Sequence, residues 1–263
     1  MLSIRSHSRA VAALVMAIVF AAVMLHTIAI HAQTSVSGSG LGTLVNGSLG
    51  TACTSGTCTV TGGTLSSNSL NLFHSFDKFS VTTGNTAQFG SGVNNAALQN
   101  IVARVTGTDA SRILGTINSR SFFSNANLFL LNPNGFLFGA GASLNVGGAF
   151  RASTANSLSF DDGTRFFVNP ALTSTFSGAN PRAFVFDSAP LAALPDAGCN
   201  LANICVKGMQ YNAAVAAGAK QTISLAGGNI EIVGPAGPTT ATIGTTGGRI
   251  DIASVAASGE VVF

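Results

Sequence analysis

Any acid–base or nucleophilic relay in the body of this chain would have to use His74, because His7, His26 and His31 all lie in an apolar leader. A Ser-His-Asp or Cys-His arrangement needs an imidazole beside the nucleophile. His74 sits in Leu72-Phe73-His74-Ser75-Phe76, an apolar run of strand character, and reads as a core or strand-edge histidine with one satisfied hydrogen bond. The carboxylates Asp161-Asp162 suggest the acid and base of a glycosidase. Placed side by side before a glycine, they read instead as turn formers at a solvated hairpin tip. Asp77-Lys78 reads as a surface ion pair, and Asp109 as a turn or cap residue. No glycine-rich stretch opens a helical pattern, as a phosphate loop requires, and calcium-binding nonapeptide spacing is absent. No catalytic residue, cofactor or metal ion is assigned.

The four cysteines form two close pairs, Cys53 with Cys58 and Cys199 with Cys205. An even count in an exported chain suggests disulfides. Each would close a small loop, with a gain of about 2 kcal/mol. Metal binding is the rival reading, weakened by the absence of a neighbouring histidine and by spacings unlike those of zinc sites. Export itself is read from residues 1–32. Arg5 and Arg9 precede an apolar run, and Ala32 is a small residue suited to cleavage, which leaves Gln33 as the new N-terminus. That is a signal-peptide layout; an uncleaved anchor is the alternative, for which the run is short.

Removing Arg5 and Arg9 lowers the net charge from +3 to +1, so no electrostatic case for nucleic acid survives. Charged residues make up 8% of the chain, while hydrophobic ones reach 46% with 31 glycines. This balance excludes disorder and argues against an α-rich domain. One β domain over 33–263 is expected.

The elements that would position these residues share one grammar: a short apolar strand, then a Gly/Asn/Ser turn. Its clearest instance is NLFLLNPNGFLFG at 127–139, where Asn132, Pro133, Asn134 and Gly135 suit a type I turn between two strands. SLAGGNIEI and GTTGGRIDI align at Gly227-Gly228 and Gly247-Gly248, which predicts a solenoid with a period of about 20 residues, Ile230 and Ile232 matching Ile250 and Ile252. Residues 157–168 read as a hairpin with a two-residue Asp162-Gly163 turn. A Pro-bearing turn is expected at Asn180-Pro181, an irregular excursion over 188–212, and a short helix near 96–105. Residues 33–63 read as a cap on the first coil, whose open strand edges need one.

An ordered series of segments carries a family resemblance. NLFHSFDKF (71–79), ANLFLLNPNG (126–135) and GAGASLNVGGAFRAST (139–154), followed by FDDGTRF, ISLAGGNIEI and GGRIDIASVAASGEV, resemble the haemagglutination-activity domain of filamentous-haemagglutinin-type exoproteins, the N-terminal domain of two-partner secretion. The likeness covers residues 40–262. It implies an all-β fold, a single-stranded right-handed parallel β-helix with an N-terminal β cap and small extra-helical β elements. It also implies an outer-membrane β-barrel transporter as partner, whose periplasmic domains read the chain in extended form. The product would be secreted, or held at the surface of a Gram-negative bacterium, as part of an adhesin, haemagglutinin or toxin. The family's NPNG motif falls on Asn132, Pro133, Asn134 and Gly135. Its earlier Asn-Pro-Asn-Leu motif has no counterpart, because residues 93–98 read VNNAAL. The motif is open to two readings, a turn that fixes coil geometry and a sequence that the transporter recognises.

A secretion-guiding, non-enzymatic domain is therefore the leading reading. A β-helix that binds host or cell-surface carbohydrate is the alternative. A polysaccharide lyase or glycosidase comes last, because it needs convergent Asp, Arg or Lys and the charges are scattered in the sequence. The chain also ends within an apparent strand, at Glu260-Val261-Val262-Phe263, as a fragment or a freestanding domain would.

Overall fold

The computed structural model describes residues 33–90, 97–188, 194, 199, 201–211, 221–234, 243–245 and 247–263. The expected signal peptide lies outside the described residues, as do residues 93–96 of the missing-motif region.

Short Phe-, Val- and Ile-rich runs become strands, and Gly, Asn and Ser turn the chain between them. β1 (Ser35–Gly40), β2 (Thr43–Val45), β3 (Thr57–Gly62) and β4 (Thr64–Leu65) come first. The first coil follows through β5 (Asn71–Ser80), a bridge at Val81 and β6 (Thr86–Phe89). The second holds β7 (Asn100–Val105), β8 (Ser111–Ile113) and β9 (Thr116–Asn118). The third holds β10 (Asn127–Leu131), β11 (Phe136–Phe138) and β12 (Ala142–Asn145). The fourth opens on β13 (Phe150–Ser153) and leaves the stack through β14 (Ser157–Phe160), β15 (Arg165–Phe167) and β16 (Pro181–Phe186). It resumes at β17 (Ile204–Val206) and β18 (Met209–Tyr211). The fifth contains β19 (Thr222–Gly227), β20 (Ile230–Ile232) and β21 (Ile243–Gly244). β22 (Arg249–Ser254) begins another, and β23 (Gly259–Val262) turns away.

Equivalent strands stack in parallel to make a β-solenoid with three faces. Sheet A contains β5-β7-β10-β13-β19-β22, sheet B contains β8-β11-β17-β20, and sheet C contains β3-β6-β9-β12-β18-β21. The front edges end on antiparallel strands: β1 and β4 on β5, and β2 on β3. A fourth, antiparallel sheet D runs β15-β14-β16-β23. No helix occurs among the described residues.

Alternation along sheet A sends two columns inward. Leu72, Ile101, Leu128, Phe150, Ile223 and Ile250 form one, and His74, Ala103, Leu130, Ala152, Leu225 and Ile252 the other. As far as Ile223 and Leu225 these columns join Phe76, Phe89, Phe136 and Phe138 in the main core, whereas Ile250 and Ile252 on the last strand are exposed. The opposite face of the front strands is buried as well. Phe73, Val102 and Phe129 point away from the coil axis and meet Leu158, Phe160, Phe166 and Phe184 of sheet D in a second core. Phe73 lies 5.0 Å from Phe166 and 6.0 Å from Phe160, ring centroid to centroid.

Several sequence expectations need correction. The helix expected near 96–105 is absent, and β7 occupies Asn100–Val105 as a strand buried throughout. Both of its faces are covered, so it lacks the alternation that marks a half-buried strand. The 20-residue period is also wrong. Ile250 stacks on Ile223 in sheet A, a spacing of 27, whereas Ile230 stacks on Ile204 in sheet B. The two Gly-Gly pairs precede strands of different faces, so their likeness is local. The excursion is shorter than 188–212, because β17 and β18 already belong to the stack. Pro181 opens β16, a position where its missing N–H costs no ladder bond. The 157–168 hairpin closes through Asp161, Asp162 and a left-handed Gly163 (φ 79°), a three-residue loop. Lys78 pairs with Asp109 of the next coil at 2.8 Å, not with Asp77.

Where sheet A meets its turn, three asparagines stack. Asn127 Nδ2 donates to Asn100 Oδ1 at 2.9 Å, and Asn100 Nδ2 to Asn71 Oδ1 at 2.8 Å. Asn71 Nδ2 donates onward to the carbonyls of Ser177 and Ala179 at 2.7 and 2.8 Å. At the other end the Ala149 N–H donates to Asn127 Oδ1. Removing the middle rung strands a buried acceptor and a donor. Asn100→Ala is therefore expected to destabilise the domain by about 3 kcal/mol, read as a lower urea midpoint at unchanged m-value.

Candidate functional site

Asn132 is the pivot of the turn between β10 and β11, and it is fully buried. Its Oδ1 accepts the Asn134 N–H at 3.0 Å, an Asx turn that starts the reversal. The Gly135 N–H then donates to the Asn132 carbonyl at 3.0 Å and closes a four-residue turn. Pro133 fixes the first central φ and has no N–H to leave unpaired. Gly135 takes φ 107°, and a Cβ there would meet the Asn203 carbonyl at 2.6 Å and the Leu194 side chain at 2.8 Å. Glycine is therefore required on two grounds, dihedral and space.

The same turn stitches coils together. Asn132 Nδ2 donates to the Asp109 carbonyl and Ser111 Oγ, each at 3.0 Å, and Asn134 Nδ2 to the Gly107 carbonyl at 2.8 Å. These bonds reach the coil before. The Asn132 N–H donates to the Ser153 carbonyl and the Phe136 N–H to Asn203, which reach the coil after. Pro133 and Asn134 keep a half-buried edge on a cleft of about 370 Å³ walled by Phe167, Val168 and Leu172. The motif thus sits in a corner whose amide groups bond to the protein's own backbone.

The remaining sequence candidates are scattered. His74 lies in the main core beside Phe76 and Phe89, with Nδ1 paired to Thr43 Oγ1 at 3.2 Å. Burial alone holds its pKa down at about 3, so the imidazole is neutral. Asp162 accepts hydrogen bonds from Ser177 and Thr164, which lower its pKa. Both disulfides are formed. Cys53–Cys58 ties the loop before β3 to that strand, and Cys199–Cys205 ties the excursion to β17. Among the described residues, no group of three or more His, Cys, Asp or Glu could hold a metal ion.

One convergence escaped the sequence reading. Arg151, Ser224 and Asp251 are consecutive in an outward column of sheet A, with Thr222 and Arg249 beside them. They line a cleft of about 470 Å³. The Arg151 guanidinium stacks on Phe263 at 4.6 Å, and Arg249 pairs with Asp251. Arg151 lies 73 and 100 positions from Ser224 and Asp251 because the fourth coil carries the departure, whereas Ser224 and Asp251 are one 27-residue register apart.

A model of the TPS secretion domain family matches residues 41–263. No curated protein matches the chain.

Two outcomes are expected. Gly135→Ala should lower stability by about 3 kcal/mol, from backbone strain and the carbonyl clash together, measured by urea unfolding. His74 binds a proton in the unfolded chain near pH 6.5 but not in the native core until about pH 3. Its contribution is complete above pH 6.5 and is lost as pH falls through that window. Between pH 7 and pH 5 the protein should lose about 2 kcal/mol more than His74→Leu loses, by the same unfolding assay.

Proposed function

The chain belongs to the TPS secretion domain family, and from that membership we propose that it guides its own export as the recognition domain of a two-partner secretion exoprotein. The partner is an outer-membrane β-barrel transporter whose periplasmic domains bind the chain while it is extended. The β-solenoid then forms outside the cell, as the leading domain of an adhesin- or haemagglutinin-like product. Chemistry at an active centre plays no part in this role.

The observation that carries the reading is the burial of Asn132. Its amide bonds to backbone groups of the protein itself, so a transporter reading this motif must meet it before folding. An extended segment can add as a strand to a receiving domain, with side chains such as those of Asn132 and Asn134 read in pockets. The disulfides are compatible with passage, because they close loops of sequence separation 5 and 6 and leave no long-range cross-link.

A second reading, saccharide binding, rests on the cleft lined by Arg151, Thr222, Ser224 and Asp251, whose hydroxyl and charged groups suit sugar hydroxyls. It assigns a task to the folded product and is compatible with export. Arg151→Ala would remove it and leave export unchanged.

Co-expression with the cognate transporter tests the main reading. The chain should accumulate in the medium only when the transporter is present, and Asn132→Ala should reduce that amount at least tenfold. Equal release without the transporter would overturn the proposal.

A further inference from the structure

A solenoid coil ordinarily needs only its neighbours, but the front of this one is closed by chain that arrives much later. The Asn71 amide ends on Ser177 and Ala179, and Asn68 Nδ2 donates to the Gly178 carbonyl, at sequence separations of 106 to 110. Arg104 on β7 donates to the Phe167 carbonyl at 2.7 Å and stacks over Phe166 at 5.0 Å. Phe73 on β5 is packed among Phe160, Phe166 and Phe176. The motif turn is completed from the same direction. Phe136 N–H donates to Asn203, Leu194 covers Gly135, and Phe167 and Val168 wall the cleft beside Pro133.

We propose that the unit β14–β16, within the departure between β13 and β17, is a lock that ends the period in which the motif can be read. Until β14, β15 and β16 dock, the outer face of β5, β7 and β10 presents Phe73, Val102 and Phe129 to water, Asn71 lacks the Ser177 and Ala179 carbonyls, and Arg104 keeps Ser75 Oγ but lacks the Phe167 carbonyl. The first three coils therefore stay open and Asn132–Gly135 stays accessible. Docking of β14, β15 and β16 closes all three coils together and brings Phe167 and Val168 over the edge of the turn at Pro133 and Asn134. The delay is built into the chain order, since contacts of this sequence separation form slowly and β16 leaves the inner membrane after the motif does. The inference rests on the reading that the transporter binds the motif in extended chain.

Native-state hydrogen exchange of the purified full chain in sub-denaturing urea tests the lock without any transporter. Amides of β5, β7 and β10 should exchange through the same opening as those of β14 and β16, with the same urea dependence. Phe184→Ala, which removes a ring buried between sheets D and A, should lower protection of both groups by the same factor, about 100-fold. The proposal is overturned if β14 and β16 open while β5, β7 and β10 keep their protection, in the wild type or in the variant. If Phe184→Ala does not fold, the wild-type urea dependence decides alone. Failure of export with an intact shared opening would sink the secretion reading and leave only the coupled closure of the coils; separate openings with normal export would overturn the lock and leave the secretion reading standing.

Discussion

The column Phe73, Val102 and Phe129 faces away from the coil axis and is nonetheless buried. Two phenyl rings and a valine in register would otherwise make an exposed apolar patch on the front of the solenoid. At roughly 25 cal/mol per Å², covering such a surface outweighs any single hydrogen bond in the domain. Sheet D meets that requirement, and much else follows from its presence. β7 is buried on both faces, the fourth coil is interrupted, and the asparagine ladder finds its last acceptors on Ser177 and Ala179. Toward β22 the outward column changes from Phe129 to Arg151, Ser224 and Asp251. Apolar cover over the front strands thus gives way to a polar cleft.

In the proposed role, the turn at Asn132–Gly135 serves two states. In the folded chain the side-chain amides of Asn132 and Asn134 have structural tasks, from the Asx turn to the bonds on Asp109 and Gly107. In the extended chain those same amides are free. Selection for coil geometry and selection for recognition would therefore fall on the same residues, and a loss of export in an Asn132 variant has to be read alongside its folding stability.

Much of this architecture was legible in the sequence, because it rests on local rules. Asn-Pro-Asn-Gly specifies its turn through side-chain capping and dihedral preference. Asp161-Asp162-Gly163 announces a reversal, although its loop holds one more residue than expected. The errors came from long-range register. Gly227-Gly228 and Gly247-Gly248 look like a repeat, yet they lead into different faces, because coil length varies with turn length. Over β7 the sequence suggests a helix, because burial on both faces erases the period of two. Arg151 and Asp251 meet only through the stacking of β13, β19 and β22, which no local pattern encodes. Sheet D was visible as a hairpin, but its seat on Phe73 and Phe129 required the fold.

In the proposed role, folding hides the motif from the transporter. The direct measurement is capture of the chain by the isolated periplasmic domains of that transporter, with native protein in one sample and chain freshly diluted from urea in the other. Capture of the diluted chain and none of the native protein is the expected result. Equal capture of both would contradict the account, because a buried Asn132 could not then be the group that is recognised.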